Sequence, residues 1–469
     1  MRRIIAPFLI ILLAATSLVS CLNDDDSNTV YYSDTALSSF NVTNIVVTKT
    51  TKSSQGTDST YIEKMSTSSY VFQIDQDKRE IYNLDSLPYG TDGTKLLVNV
   101  TTVNNGVAGL KAVLGTDVTA ISSTDSLDFS VPRTIVVRSS DGKYSREYTV
   151  KVNIHKQKAE DFNWTKLAES ADIASFEAFR AFAIDGKIVA FGSDGTNTKA
   201  LQTSASDGAS WISVTFNFNG MLPADMYQKI VKKGNRLYMI KDGKLLSSSD
   251  GATWDEEGST EMKQLIAASS DKLYAYDENG EIMSSSDGTE WNADGMDTSS
   301  SMLPTTDICY AFHTLRTNND VERVVLAGNR DVSAFEADTA AVIWNKLDDT
   351  GSYAVNLPWA YYTFDIKSKY VLPRLAGLSM TSYGEYLLAL GGKGIGACKE
   401  TGFSQIYSSL DGGLTWQNEA MFQLPEGIDK TAKSMALVTD DEYHLWIICA
   451  GTGQIWRGRL NSMGWLVGK

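Results

Sequence analysis

One phrase recurs four times between residues 204 and 416 and constrains the fold more than any other feature of the sequence. Its cleanest form is Ser247-Ser248-Ser249-Asp250-Gly251-Ala252-Thr253-Trp254, repeated as Ser284 to Trp291 around Asp287 and Gly288. A looser copy runs from Ser204 through Asp207 to Trp211, and a copy one residue longer runs from Ser408 through Asp411 to Trp416. Each follows an apolar β-type run. Asp-Gly between two such runs predicts a tight turn, because Gly takes positive φ without a Cβ clash and Asp tolerates it. The Asp carboxylate and Ser hydroxyls can accept backbone N–H groups inside the turn, and the Trp supplies a large apolar anchor for the next strand. A chain that repeats such a device is a repeat of small sheets.

Residues 409–416, Ser-Leu-Asp-Gly-Gly-Leu-Thr-Trp, resemble the Asp-box of sialidase-type (BNR) β-propellers, and the other three copies resemble its shorter variant. The resemblance implies a propeller with the Asp-boxes on third-to-fourth strand turns. Asp207, Trp211, Asp250, Trp254, Asp287, Trp291, Asp411 and Trp416 are then structural, and binding belongs to the opposite face, where inter-blade connections and second-to-third turns gather. Two degenerate copies ending at Trp344 and Trp465 bring the count to six blades, with seven the alternative. Trp164-Thr165-Lys166-Leu167 resembles Trp344-Asn345-Lys346-Leu347 and is expected as an outer strand that closes the last blade; Trp465-Leu466-Val467 competes for that place.

Length and composition agree with this reading. The 469 residues suggest two domains, and 36 Gly with only 8 Pro fit a turn-rich all-β chain. Residues 31–156 alternate apolar and polar positions. Their clearest hairpin is Arg133 to Arg138, a turn at Asp141-Gly142, then Arg146 to Val152. That hairpin resembles the last two strands of Ig-like or cadherin-like sandwiches, so the expected class is all-β: an Ig-like β-sandwich over 31–156, a polar linker, and a propeller over 162–469.

The N-terminus reads as an address. Arg2 and Arg3 precede an apolar run ending in Leu18-Val19-Ser20-Cys21, too short and wrongly flanked for a membrane span. The four residues resemble a bacterial lipobox, which implies a signal peptide over 1–20 and acyl chains on Cys21. An acidic tether, Asp24 to Asp26 within 21–30, resembles the surface-export signal of Bacteroidetes outer-membrane lipoproteins. The implied location is the outer membrane, anchored by lipid and surface-exposed. Net charge is −15, and loss of Arg2 and Arg3 lowers it further, which argues against nucleic acid as a partner.

Chemistry-bearing clusters are sparse. The remaining cysteines Cys309, Cys398 and Cys449 sit in apolar runs and read as buried thiols; the three histidines show no ligand spacing, and no metal or cofactor is expected. The candidate ligand-binding residues are Trp359, Tyr361, Tyr362, Arg374 and Lys393, from the long connection between Asp348 and Met380 and from the Gly-rich turn 391–400. Aromatic rings beside basic groups suit a glycan or a surface protein. Phe179-Arg180-Ala181-Phe182 resembles the opening of a sialidase first blade without its Ile-Pro, so Arg180 matches one member of an arginine triad; Tyr383 and Glu385 are neighbours rather than an assignable nucleophile and base. The expectation is a non-catalytic binding protein with no catalytic residue, the glycoside hydrolase being the alternative.

Overall fold

The computed structural model describes residues 30–52, 58–351, 354–363 and 368–466. Cys21 and the acidic tether lie outside them. The chain divides into two compact units, at Lys158 and Ala159.

The first unit holds two sheets around one core. A four-stranded sheet runs Asp58–Ser66, Leu37–Lys52, Leu96–Thr102, Ser126–Leu127. A six-stranded sheet runs Phe72–Asp75, Glu80–Asn83, Ser145–Lys151, Arg133–Arg138, Val107–Lys111, Val118–Ala120, with Ser145–Lys151 parallel to Glu80–Asn83. Period-2 alternation decides what is buried: Ile135, Val137, Tyr148 and Val150 point into the core from the expected hairpin. Its turn is held by Asp141, whose Oδ1 accepts the Lys143 N–H at 3.0 Å and the Ser139 hydroxyl at 2.5 Å.

Among the described residues the second unit holds six sheets in succession, numbered here in chain order. Their first strands are Ala178–Ile184, Val231–Lys233, Gln264–Ala268, Thr306–Leu315, Ser379–Tyr383 and Ser434–Thr439. From the second sheet to the sixth each packs beside the next, and the sixth packs against the first. The last sheet is completed from the other end of the unit: Phe162–Lys166 pairs antiparallel with Ile455–Leu460, with Trp164 opposite Gly458. Trp465 instead caps a short helix, Asn461–Gly464, so the Trp164 strand takes the contested position.

Three of the four Asp-Gly turns connect third to fourth strands, and the Asp411 turn follows the third strand of the fifth sheet, Tyr407–Ser409, and leads to a single bridge between Ser408 and Gln417. Asp250 Oδ1 accepts the N–H groups of Ala252 and Thr253 at 2.8 and 2.7 Å, and Ser248 Oγ accepts that of Gly251 at 2.9 Å. Asp287 with Ser285, and Asp411 with Ser409, repeat the pattern. Three tryptophans close the loop by donating indole N–H back to the turn: Trp254 to Gly251 O, Trp291 to Gly288 O, Trp416 to Gly413 O. In the looser first copy, among the described residues, only Ala209 N–H reaches Asp207 and the buried Trp211 indole nitrogen has no partner.

The turns also join the sheets. Gly251 lies against Val189 of the first sheet, Gly288 against Leu245 of the second, Gly413 against Val325 of the fourth and Gly208 against Trp446 of the sixth. Each has positive φ, and each leaves room for the preceding sheet that a side chain would fill.

The fourth sheet corrects the repeat assignment. Trp344 does not head a fourth strand; it sits in the third, Val342–Asp349, paired with Leu326 on one side and Tyr361 on the other. The fourth strand is Ala360–Tyr361, and Trp359 precedes it as Trp291 precedes Asn292–Ala293. The chain between Asp349 and Ala360 therefore links the third strand to the fourth, and the inter-sheet connection begins only after Tyr361.

Candidate functional site

That correction moves the candidate binding residues. Trp359 is completely buried, its ring edge-on to Tyr274 at 5.1 Å and its indole nitrogen 3.3 Å from Asp294 Oδ2. It cannot offer a stacking face to a ligand. Arg374 is also completely buried and donates to the carbonyls of Phe335 and Arg330, where it holds the loop after the second strand of the fourth sheet. Tyr361 is half-buried, tilted against Trp344 at 5.3 Å, and Tyr362 is half-buried against the core between the fourth and fifth sheets. Lys393 is exposed. The five do not converge. Burial was invisible in the sequence because it depends on which connection a residue belongs to.

The two loop segments nevertheless meet elsewhere. Residues 368–371 with Pro373, and residues 397–400, form the walls of a cleft of about 670 Å³ at the outer edge of the fifth sheet. The Trp416 N–H donates to Tyr370 O at 3.1 Å and ties one wall to the neighbouring turn. Tyr370 is 45% exposed, with Lys369 Nζ 5.3 Å from its ring centroid. Gln405, Gln417 and Asn418 add amide groups, Asn418 donating to Gln405 Oε1 at 2.9 Å, and Lys399 and Glu400 add opposite charges. The fifth sheet has only three full strands, with Gln417 bridging to Ser408 in place of a fourth. The edge is open because the outer strand is short. A flat ring with amides and mixed charges can stack on and hydrogen-bond to a polyhydroxylated ligand.

A second cavity, about 310 Å³, lies among the first strands. Arg180 lines it and reaches across to other sheets: Nη1 donates to Gln228 O at 2.9 Å and Ile230 O at 3.5 Å, and Nη2 to Ile308 O. Burial lowers its pKa, against the pull of Cys309, Tyr310, Tyr227 and Asp307. Tyr310 spans from the fourth sheet to the second, its hydroxyl accepting Lys232 N–H at 2.6 Å and donating to Lys232 O at 2.9 Å. Ser382 donates to Phe312 O, and Thr439 to Ser382 O. These ties were not legible in sequence, since each joins residues between 48 and 128 positions apart.

Two other sequence suggestions separate here. Tyr383 is fully buried and its hydroxyl accepts the Leu460 N–H at 3.0 Å, whereas Glu385 is exposed and ion-paired with Arg316. Cys309, Cys398 and Cys449 are buried free thiols, and burial pushes Cys309 and Cys449 up to about 12.

Family comparison accounts for both units. Residues 158–467 match the model of the DUF6242 beta propeller domain, and residues 40–152 that of the DUF6242 N-terminal domain of unknown function. The chain belongs to the DUF6242 family. Its second unit is therefore a propeller and its sheets are blades. No curated protein matches the chain. Among solved structures, the α-L-arabinofuranosidase Arb93A from Fusarium graminearum is similar at 12% identity, covering 65% of this chain and 99% of that one, with a TM-score of 0.36. The family AA12 carbohydrate-active enzyme of Trichoderma reesei is similar at 11% identity, covering 64% and 96%, with a TM-score of 0.38. BamB from Moraxella catarrhalis is similar at 10% identity, covering 70% and 94%, with a TM-score of 0.27. At these levels the likenesses assign no activity to the DUF6242 chain.

Proposed function

We propose that this protein is a non-catalytic, lipid-anchored binding protein of a bacterial outer surface, which captures a glycan in the blade-five cleft. In this reading the propeller has six blades with Asp-box turns, the first unit is an Ig-like spacer, and Cys21 carries the lipid. The observation that carries the binding role is the meeting of 368–371 and Pro373 with 397–400 around the exposed Tyr370 ring. Ring, amides and an adjacent pair of opposite charges suit a neutral or weakly charged sugar better than an extended apolar partner. The reading is non-catalytic because the cleft's acidic group, Glu400, has no second carboxylate beside it among the lining residues, whereas glycoside hydrolysis uses a pair.

The test is an oligosaccharide array followed by calorimetry on Tyr370→Ala and Gln417→Ala. Each substitution is expected to weaken binding about fivefold or more, the worth of an interface contact of about 1 kcal/mol. Retained affinity in both variants would remove the cleft from the function, and so would an array without a hit. Turnover of any glycoside would remove the non-catalytic reading.

A further inference from the structure

The channel cavity carries positive charge that its own wall does not balance. Arg180 and Lys232 both line it, and no Asp or Glu is among the lining residues. Among the described residues neither cation is in an ion pair. Arg180 is oriented by main-chain carbonyls, which fix a guanidinium without neutralising it. Of its five N–H donors, three go to Gln228 O, Ile230 O and Ile308 O, leaving Nε–H and one on Nη2. Lys232 uses its backbone N–H and C=O on Tyr310, while its half-buried ammonium has no acceptor among the described residues. The carboxylates whose fields reach them are Asp307, for Arg180, and Asp441, for Lys232. Asp307 is committed elsewhere: its oxygens accept from Asn329 Nδ2 at 2.9 Å and Gly377 N–H at 2.8 Å.

We propose that this cavity binds a small organic carboxylate. Cations withdrawn from water and left unpaired are costly, so a site that holds two of them gains when an anion enters. Burial lowers the pKa of both groups, as expected for cations awaiting a counter-charge. Phe182, Met380 and Leu437 on the same wall favour an organic body over an inorganic oxyanion. The volume of about 310 Å³ fits a molecule of single-sugar-acid or small di-acid size, at the low end of ligand sites. Net charge of −15 repels anions at long range, so the attraction is local, within about one Debye length of ~8 Å. The site is distinct from the blade-five cleft and shares no residue with it.

The experiment uses the mature full-length protein with acetate, succinate, citrate and glucuronate, each beside its neutral amide or ester, read by thermal shift and calorimetry. At least one acid is expected to bind and its neutral counterpart to bind at least tenfold more weakly. Lys232→Gln, whose side chain makes no bond among the described residues, is expected to weaken that acid about tenfold or more, the worth of one charge-assisted contact, with a melting point of the free protein that is unchanged or raised. Arg180→Gln is expected to abolish binding but also to loosen the ring, so Lys232→Gln decides the matter. Absence of binding by every acid, equal binding of acid and neutral form, or affinity unchanged in Lys232→Gln would each overturn the proposal. Tyr370→Ala is expected to leave carboxylate binding intact, which separates failure of this site from failure of the cleft.

Discussion

Lys346 Nζ stands 2.7 Å from Asp294 Oδ1, and both side chains are out of contact with solvent. The pair joins the third strand of blade four to the end of blade three. Lys346 also donates to Asn356 Oδ1 at 2.6 Å and to Leu357 O, while Asp294 Oδ2 receives the Trp359 indole N–H. Blade four has no Asp-Gly turn, and this ion pair clamps its long third-to-fourth turn instead. Removing one partner leaves a buried charge alone, so Lys346→Met and Asp294→Leu are each expected to cost about 3–5 kcal/mol. The double replacement should be less harmful than their sum. Urea unfolding measures this, and additive losses would mean that the two residues act independently.

Glycine in the Asp-Gly turns serves two purposes, and a pair of substitutions separates them. Gly288 and Gly280 have φ of +83° and +79°, but a Cβ on Gly288 would lie 2.3 Å from buried Leu245 while one on Gly280 meets nothing within 4 Å. Gly280→Ala is expected to cost about 1–2 kcal/mol from backbone strain. Gly288→Ala should cost clearly more, because Leu245 must shift within a packed core. Equal losses in denaturation would show that contact with the preceding blade does not demand glycine there.

The turn carboxylates predict an acid limit. For Asp250 burial raises the pKa, yet the N–H groups of Thr253 and Ala252 outweigh it and the net shift is downward; Asp411 likewise ends low, through Thr415 and Ser409. A folded pKa below the unfolded value of about 3.9 stabilises above that value and is lost as pH falls through it. Stability should therefore be level from about pH 5 to 8 with respect to these groups and decline below about pH 4. In Asp250→Ala, which costs about 1–3 kcal/mol at neutral pH, the decline should be shallower. A steeper or identical acid slope in the variant would contradict the assignment.

Anchoring has a separate readout. Under the proposed anchoring by acyl chains on Cys21, Cys21→Ser is expected to move the protein from the membrane to the soluble fraction without a change in melting temperature. A variant that still sediments with outer membrane would exclude Cys21 as the anchor.

The sequence by itself determined what is local. Asp250, Gly251 and Trp254 lie within five positions of one another, so their hydrogen bonds follow from short-range geometry, and the alternation around Asp141 is equally local. Tertiary structure decided whatever depended on a remote partner. Trp344 and Trp359 are alike on paper; the pairing of 342–349 with 318–329 puts one in a third strand and leaves the other to fill the space beside Tyr274. Trp164 and Trp465 competed for the same edge, and the pairing of Phe162–Lys166 with Ile455–Leu460 gave it to the residue almost three hundred positions away in sequence. Arg374 reads in sequence as a candidate ligand-binding residue, but the structure buries it and spends its guanidinium on the carbonyls of Phe335 and Arg330. Arg180 and Lys232 share a cavity only because first strands of five different sheets line it, an arrangement set by the packing of sheet against sheet and written in no single stretch of chain.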